Sequence, residues 1–275
     1  GNIYIDSTYM PKDNNLNAAL EVEKFPVDLI LSLFSQKYST DGLIDGSVKI
    51  SGDPLAPEMS GKLNVNGQRM DLNLSDPIRN YSGSIEFNGD KIDVSGLSGR
   101  FESGNFKIGG FIKPFTGGNE AWNLNLNGRE LYFDVGSLEG DFDADISMKG
   151  PLLNPLVSGD LNAYDFIVGI PFEWPQSSGS GGENSFKIRM ELNITPGKNV
   201  RVKNPNIDVT VAGGSLRLIL AEDDLSMEGR LTAERGVFNY YGNRFELQSG
   251  AVIFTPFDEE DIPSLQILAR TFVGG

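Results

Sequence analysis

Residues 47–65 read SVKISGDPLAPEMSGKLNV and residues 145–163 read DISMKGPLLNPLVSGDLNA, two stretches with the same punctuation. Gly52, Pro57 and Gly61 of the first recur with identical spacing as Gly150, Pro155 and Gly159 of the second. The apolar positions coincide too: Val48 with Ile146, Ile50 with Met148, Met59 with Val157 and Leu63 with Leu161. Each unit reads as a strand, a turn at a proline that a central strand would not tolerate, and a second strand carrying glycine beside its apolar position. A shortened copy, MEGRL at 227–231, keeps the second half. Self-similarity of this kind marks a structural repeat.

Outward from the repeat, apolar residues skip one polar neighbour almost everywhere, the period of a strand with one wet and one dry face. The dry positions predicted on this basis are Ile85, Phe87, Ile92, Val94, Phe106, Ile108, Leu124, Leu126, Leu131, Phe133, Phe142, Ile146, Met148, Ile188, Met190, Leu192, Val209, Val211, Leu216, Leu218 and Leu220. Hairpin signals fall at Asn66-Gly67, Asn88-Gly89, Asn127-Gly128, Pro196-Gly197 and Tyr241-Gly242-Asn243, because Asn and Gly accept positive φ. The expected fold is all-β, an antiparallel meander. One segment departs from it: Val27, Ile30, Leu31 and Phe34 follow Pro26 at helical spacing, with Asp28 in the first turn, so a short helix is predicted near 27–37. The tract SSGSGG at 177–182 predicts a flexible loop over 176–184 and no domain boundary, since alternation resumes at Phe186.

Composition narrows the chemistry. The chain has 275 residues, 33 of them glycine, no histidine and no cysteine, and a net charge of −15. A surface that negative repels phosphate backbones, which argues against a nucleic-acid partner. Without histidine or cysteine there are no imidazole-based triads, no common zinc sets and no thiolate nucleophiles; no cofactor, metal or catalytic residue is predicted. Asp141-Phe142-Asp143-Ala144-Asp145 begins like a calcium loop, but Ile146 and Leu152 stand where glycine and glutamate are needed. The run Asp258-Glu259-Glu260-Asp261 reads as a solvated loop, and Phe238, Tyr240 and Tyr241 as packing within a strand pair. The sequence starts within an alternating pattern and stops after an apolar stretch, so it reads as a piece of a longer protein.

The stretch from Gly229 to Arg270, GRLTAERGVFNYYGNRFELQSGAVIFTPFDEEDIPSLQILAR, resembles the carboxy-terminal region of the TamB and AsmA-like envelope proteins, part of the repeating β-groove lipid-transfer group. The resemblance rests on Gly229, Gly236, Phe238, Tyr240, Gly242, Phe245, Gly250, Ile253, Phe254, Pro263, Leu265 and Ala269, and on the G-x4-P-x3-G-x-L unit upstream. It implies that residues 1–275 form one elongated fragment, curled into a U-shaped β-groove with an apolar interior. It further implies a periplasmic protein spanning between the two membranes of a diderm bacterium, carrying phospholipid acyl chains in its groove. The expected partners are those chains and an Omp85-type, TamA-like outer-membrane barrel; the membrane anchor of such proteins is an amino-terminal helix that this sequence does not contain. Two alternatives stay open at this stage: a chaperone-like role in outer-membrane protein (autotransporter) translocation and assembly, and a closed structural β-sandwich or β-helix.

Overall fold

The computed structural model describes residues 1–10, 14–32, 37–73, 76–115, 118–135, 137–169, 187–221, 224–255 and 264–271. Seventeen strands make one hydrogen-bonded sheet. They are β1 (Asn2–Met10), β2 (Asn15–Pro26), β3 (Ser39–Thr40), β4 (Leu43–Gly52), β5 (Glu58–Asp71), β6 (Ile78–Gly89), β7 (Lys91–Phe101), β8 (Gly104–Ile112), β9 (Trp122–Val135), β10 (Leu138–Gly150), β11 (Leu156–Gly169), β12 (Arg189–Pro196), β13 (Arg201–Asn204), β14 (Ile207–Ala221), β15 (Asp224–Tyr240), β16 (Asn243–Phe254) and β17 (Ser264–Thr271). The chain falls into two compact units, one of Gly1–Arg129 with Ser147–Pro155 and one of Glu130–Ile146 with Leu156–Gly275.

The meander is antiparallel as expected, with one departure. β12 and β13 run parallel to β11, a pairing that a tight turn cannot make and that needs a crossover of a dozen or more residues; residues 170–188 supply it. The predicted loop at 176–184 belongs to that crossover and lies outside the described residues. The predicted helix is α1 (Val27–Leu31), with Asp28 in its first turn. Residues 33–36, where Phe34 would have continued the apolar stripe, also lie outside the described residues. The Asp28 carboxylate accepts a 3.0 Å hydrogen bond from the Thr40 amide, and the Val27 amide bonds the Gly42 carbonyl at 2.9 Å, which fixes the helix to β3 and to the chain just after it.

Two of the five predicted turns are corrected: Asn66-Gly67 sits inside β5 and Asn127-Gly128 inside β9. At Gly67 the missing side chain makes room for an aromatic ring on the neighbouring strand. A Cβ on Gly67 would lie 2.3 Å from the Tyr81 hydroxyl, and Gly128 stands directly opposite Phe106. Tyr81 is 3% exposed and its hydroxyl pairs with the Thr40 hydroxyl.

The repeat has a structural meaning. Its two prolines, Pro57 and Pro155, are buried at the turns, and its glycines form reciprocal pairs across the ladder. Gly61 faces Val48 while Gly46 faces Leu63; in the shortened copy Gly229 faces Leu216 while Gly214 faces Leu231. Gly61 and Gly229 adopt φ of +137° and +132°, and a Cβ there would lie 2.2 and 2.3 Å from the carbonyl oxygens of Ser47 and Ser215. The backbones approach so closely that no side chain fits between them.

Gly229→Val combines a forbidden backbone angle with that overlap, so it is expected to lower stability by about 3 kcal/mol. Gly213→Ala, where the nearest atom to a new Cβ is Thr232 Oγ1 at 4.0 Å, should change it by less than about 1 kcal/mol. Urea unfolding midpoints measure both, and equal midpoints would show that the approach is not required.

Candidate functional site

Cross-strand register places the alternating apolar residues in unbroken rows. In the first unit one row runs Ile5, Leu20, Val48, Gly61, Phe87, Ile92, Ile112, Trp122, each directly opposite the next. Beside it run Ile3, Val22, Gly46, Leu63, Ile85, Val94, Gly110 and Leu124. In the second unit, Leu161, Ile194, Leu216, Gly229 and Phe254 form one row, and Gly159, Leu192, Leu218 and Met227 the next. None of these positions carries a charge. The charges lie on the opposite parity: Lys62 Nζ meets Glu86 Oε1 at 2.7 Å, and Arg217 bridges Glu191 at 2.8 Å and Glu228 at 3.0 Å.

Of the predicted dry positions, sixteen are half-buried; Leu131, Leu192, Val211 and Leu218 are buried, and Ile188 is exposed at 42%. The half-burial has a direct cause. Every described strand belongs to the same sheet, so each of these side chains has its row neighbours on the adjacent strands beside it. Coverage is greatest in the second unit, where Ala163, Val200 and Val211 are buried with Phe166, Val202 and Leu231 packed against them. The sequence also put Trp122 in an alternating stretch with Leu124 and Leu126, and Val48 and Leu63 among the apolar positions of the repeat; register adds Leu20 and Ile112 to the face.

The parity of the face changes along several strands. In β7, Ile92 and Val94 give way to Leu97 and Gly99 after a register shift, at which Gly96 adopts φ +61°. In β14, Val209 and Val211 give way to Gly214 and Leu216 through a second irregularity. An extra residue in one strand bends and twists it while returning the apolar side chains to the same side.

The acidic stretch in β10 builds structure. Asp143 accepts hydrogen bonds from the Glu130 amide at 2.9 Å and the Tyr164 hydroxyl at 3.2 Å. Burial, with the negative charges of Asp143, Asp141 and Glu130 and the bond to Asp143, pushes the Tyr164 phenol up to about 12. Burial, then Asp165 and Glu130, raises the Asp141 carboxyl. Phe238 stacks on Phe245 at 5.0 Å, whereas Tyr240 and Tyr241 are 61% and 87% exposed and touch each other edge-on. The run at 258–261 lies outside the described residues.

The described strands thus form one largely antiparallel sheet that carries uncharged, mostly half-buried apolar rows. The family model of the TamB C-terminal domain matches residues 95–274, and the chain belongs to that family. The match begins far upstream of Gly229 and so takes in the second copy of the repeat as well. The family is one of envelope transport and assembly proteins. No solved structure matches the chain. No helix among the described residues is long and apolar enough to cross a membrane.

On the polar face Arg201 donates two hydrogen bonds to Asp208, one from Nε at 3.1 Å. The hydrogen bond from Arg201 outweighs burial and holds the Asp208 carboxyl below its usual 3.8, with Arg201 and Lys203 adding attraction. A depressed carboxylate stabilises the fold above its unfolded pKa and loses that contribution as pH falls through the folded value. Asp208→Asn should therefore be less stable than the parent at pH 7, and the two should converge as acid takes the pH through the folded value, as read by urea midpoints across that range. A gap that persists unchanged into acid would contradict the assignment.

Proposed function

We propose that the apolar face carries the acyl chains of phospholipids, as part of a conduit across the periplasm between the membranes of a diderm envelope. The observation that carries this reading is the set of uncharged rows, continuous across eight strands of the first unit and half-exposed along most of their length. With strands ~4.8 Å apart, the first of these rows extends about 34 Å. Exposing acyl chain to water costs ~0.8 kcal/mol per CH₂, on the order of 12 kcal/mol for a sixteen-carbon tail. A face without charged interruptions removes most of that cost at every step along it. No single side chain needs to act as a ligand, and head groups stay in water. An Omp85-type, TamA-like barrel is the outer-membrane partner this reading calls for.

A second reading, client-strand binding during outer-membrane protein assembly, is favoured by β1. All nine of its residues are exposed, and it carries neither proline nor lysine, the usual protections of a sheet edge. An extended client segment can add to such an edge through main-chain hydrogen bonds. Photo-crosslinks from Ile5 to a nascent barrel protein, with none to lipid from Leu216, would favour this reading over the conduit.

Leu216→Asp puts a charge in the middle of a row, while Ser215→Asp puts the same charge on the exposed polar face. Mass spectrometry of lipid co-purified with the protein should show at least a fivefold loss for the first and none for the second, since an unpaired charge on an apolar path costs several kcal/mol. Equal lipid content in both variants and the parent would overturn the conduit.

A further inference from the structure

The polar face of the second unit contains a feature that the conduit does not use. Arg201 of β13 stands opposite Thr210 of β14, and Thr210 opposite Arg235 of β15, so an arginine, a hydroxyl and an arginine lie in one row across three strands. With strands ~4.8 Å apart, the two arginine backbones are about 10 Å from each other, a distance two guanidinium arms can close over the threonine. Here the β15–β16 ladder is interrupted between Ala233/Gly250 and Gly236/Leu247. An open cleft of about 400 Å³ occupies the position, lined by Arg201, Asp208, Thr210, Arg235, Glu246 and Leu247 with Gly236 and Val237.

The charge balance of the cleft differs from that of the chain. Asp208 is neutralised by Arg201, and Glu246 by Arg270 at 3.5 Å. Arg235 has no hydrogen bond or ion pair from its side chain among the described residues. Lys203, opposite Asp208, and Arg244, two residues before Glu246, add further positive charge. In a protein of net charge −15, this is a locally cationic spot with one guanidinium uncommitted. A guanidinium presents a planar fork that matches phosphate oxygens two at a time, Thr210 can donate from the centre of the row, and Val237 and Leu247 supply apolar wall.

We propose that this cleft binds the phosphate of a phospholipid head group, with Arg235 as the principal donor, Thr210 beneath it and Arg201 at the side. The inference rests on the lipid-carrying reading and adds to it a head-group contact on the polar side of the sheet. The shared chemistry, a phosphate oxyanion, is also that of free phosphate; the apolar wall favours the lipid.

The test uses the 275-residue chain and calorimetric titration with three probes: dihexanoylphosphatidylglycerol below its micelle concentration, inorganic phosphate, and dihexanoylglycerol. The phospholipid is expected to bind at least tenfold more tightly than either other probe. Arg235→Gln should weaken it about tenfold with an unchanged melting temperature, and Arg235→Lys should recover part of the loss. Equal affinity of parent and Arg235→Gln for the phospholipid would overturn the site, as would dihexanoylglycerol binding as tightly as the phospholipid. Inorganic phosphate binding as tightly would make it a free-anion site and overturn the head-group assignment. Lipid co-purified with the parent chain reads out the conduit separately from this titration. If the parent carries none while Arg235-dependent binding persists, the conduit reading falls and the head-group site stands.

Discussion

A sheet with one apolar face must have that face covered, and here all the described strands belong to the sheet itself. Burial of apolar area is the main favourable term in folding, at roughly 25 cal/mol per Å², so leaving most of the face half-covered gives up stability that a sandwich would keep. What remains is supplied within the layer: ladder hydrogen bonds, neighbouring side chains on the same face, and close backbone approach at the reciprocal glycine pairs. Those glycines permit tight packing of adjacent strands without filling the space above the face. The same property that limits stability therefore leaves apolar surface partly exposed.

The sequence made the existence and type of most elements legible, because a period of two survives without tertiary information. Three features were not legible in it, each for a physical reason. Gly67 and Gly128 look like turn residues, but both lie inside strands, and at Gly67 the lack of a side chain serves the ring of Tyr81, a neighbour outside its own strand. Leu124-Leu126 and Leu131-Phe133 look like two strands, yet they are one, because Glu130 takes φ +54° and absorbs the change of parity without ending β9. The parallel pairing of β11 with β12 was not legible because a period of two reports that a strand exists and not the direction in which it runs.

Legibility of the candidate face divides in the same way. Which residues lie on it follows from alternation, and the predicted positions with their neighbours do fall into rows. How deeply each is buried does not follow: Leu216 is half-buried and Leu218 buried at 8%, though they share a strand, a face and a residue type. Leu218 lies between Leu192 and Met227, whereas Leu216 has the side-chain-free Gly229 on one side, and alternation along one strand does not reveal its cross-strand neighbours. The Arg201–Thr210–Arg235 row was invisible for a further reason. It joins three strands through register, and no spacing along the chain brings those residues together.

The segregation of charge also protects the pairing on which the face depends. Side chains alternate, so a slip of one residue between strands exchanges the two faces. If β5 slipped by one residue against β6, Lys62 would enter the apolar row beside Ile85 and leave Glu86 behind on the polar face. A like slip of β14 would bring Arg217 into the position of Leu216. Each would desolvate charges without the partners they now have, at a cost of several kcal/mol per ion. The surface ion pairs, which contribute little to stability where they stand, thus discriminate strongly against the wrong register. A long repetitive sheet, whose many similar strands could pair in many ways, needs that discrimination more than it needs the pairs' own energy.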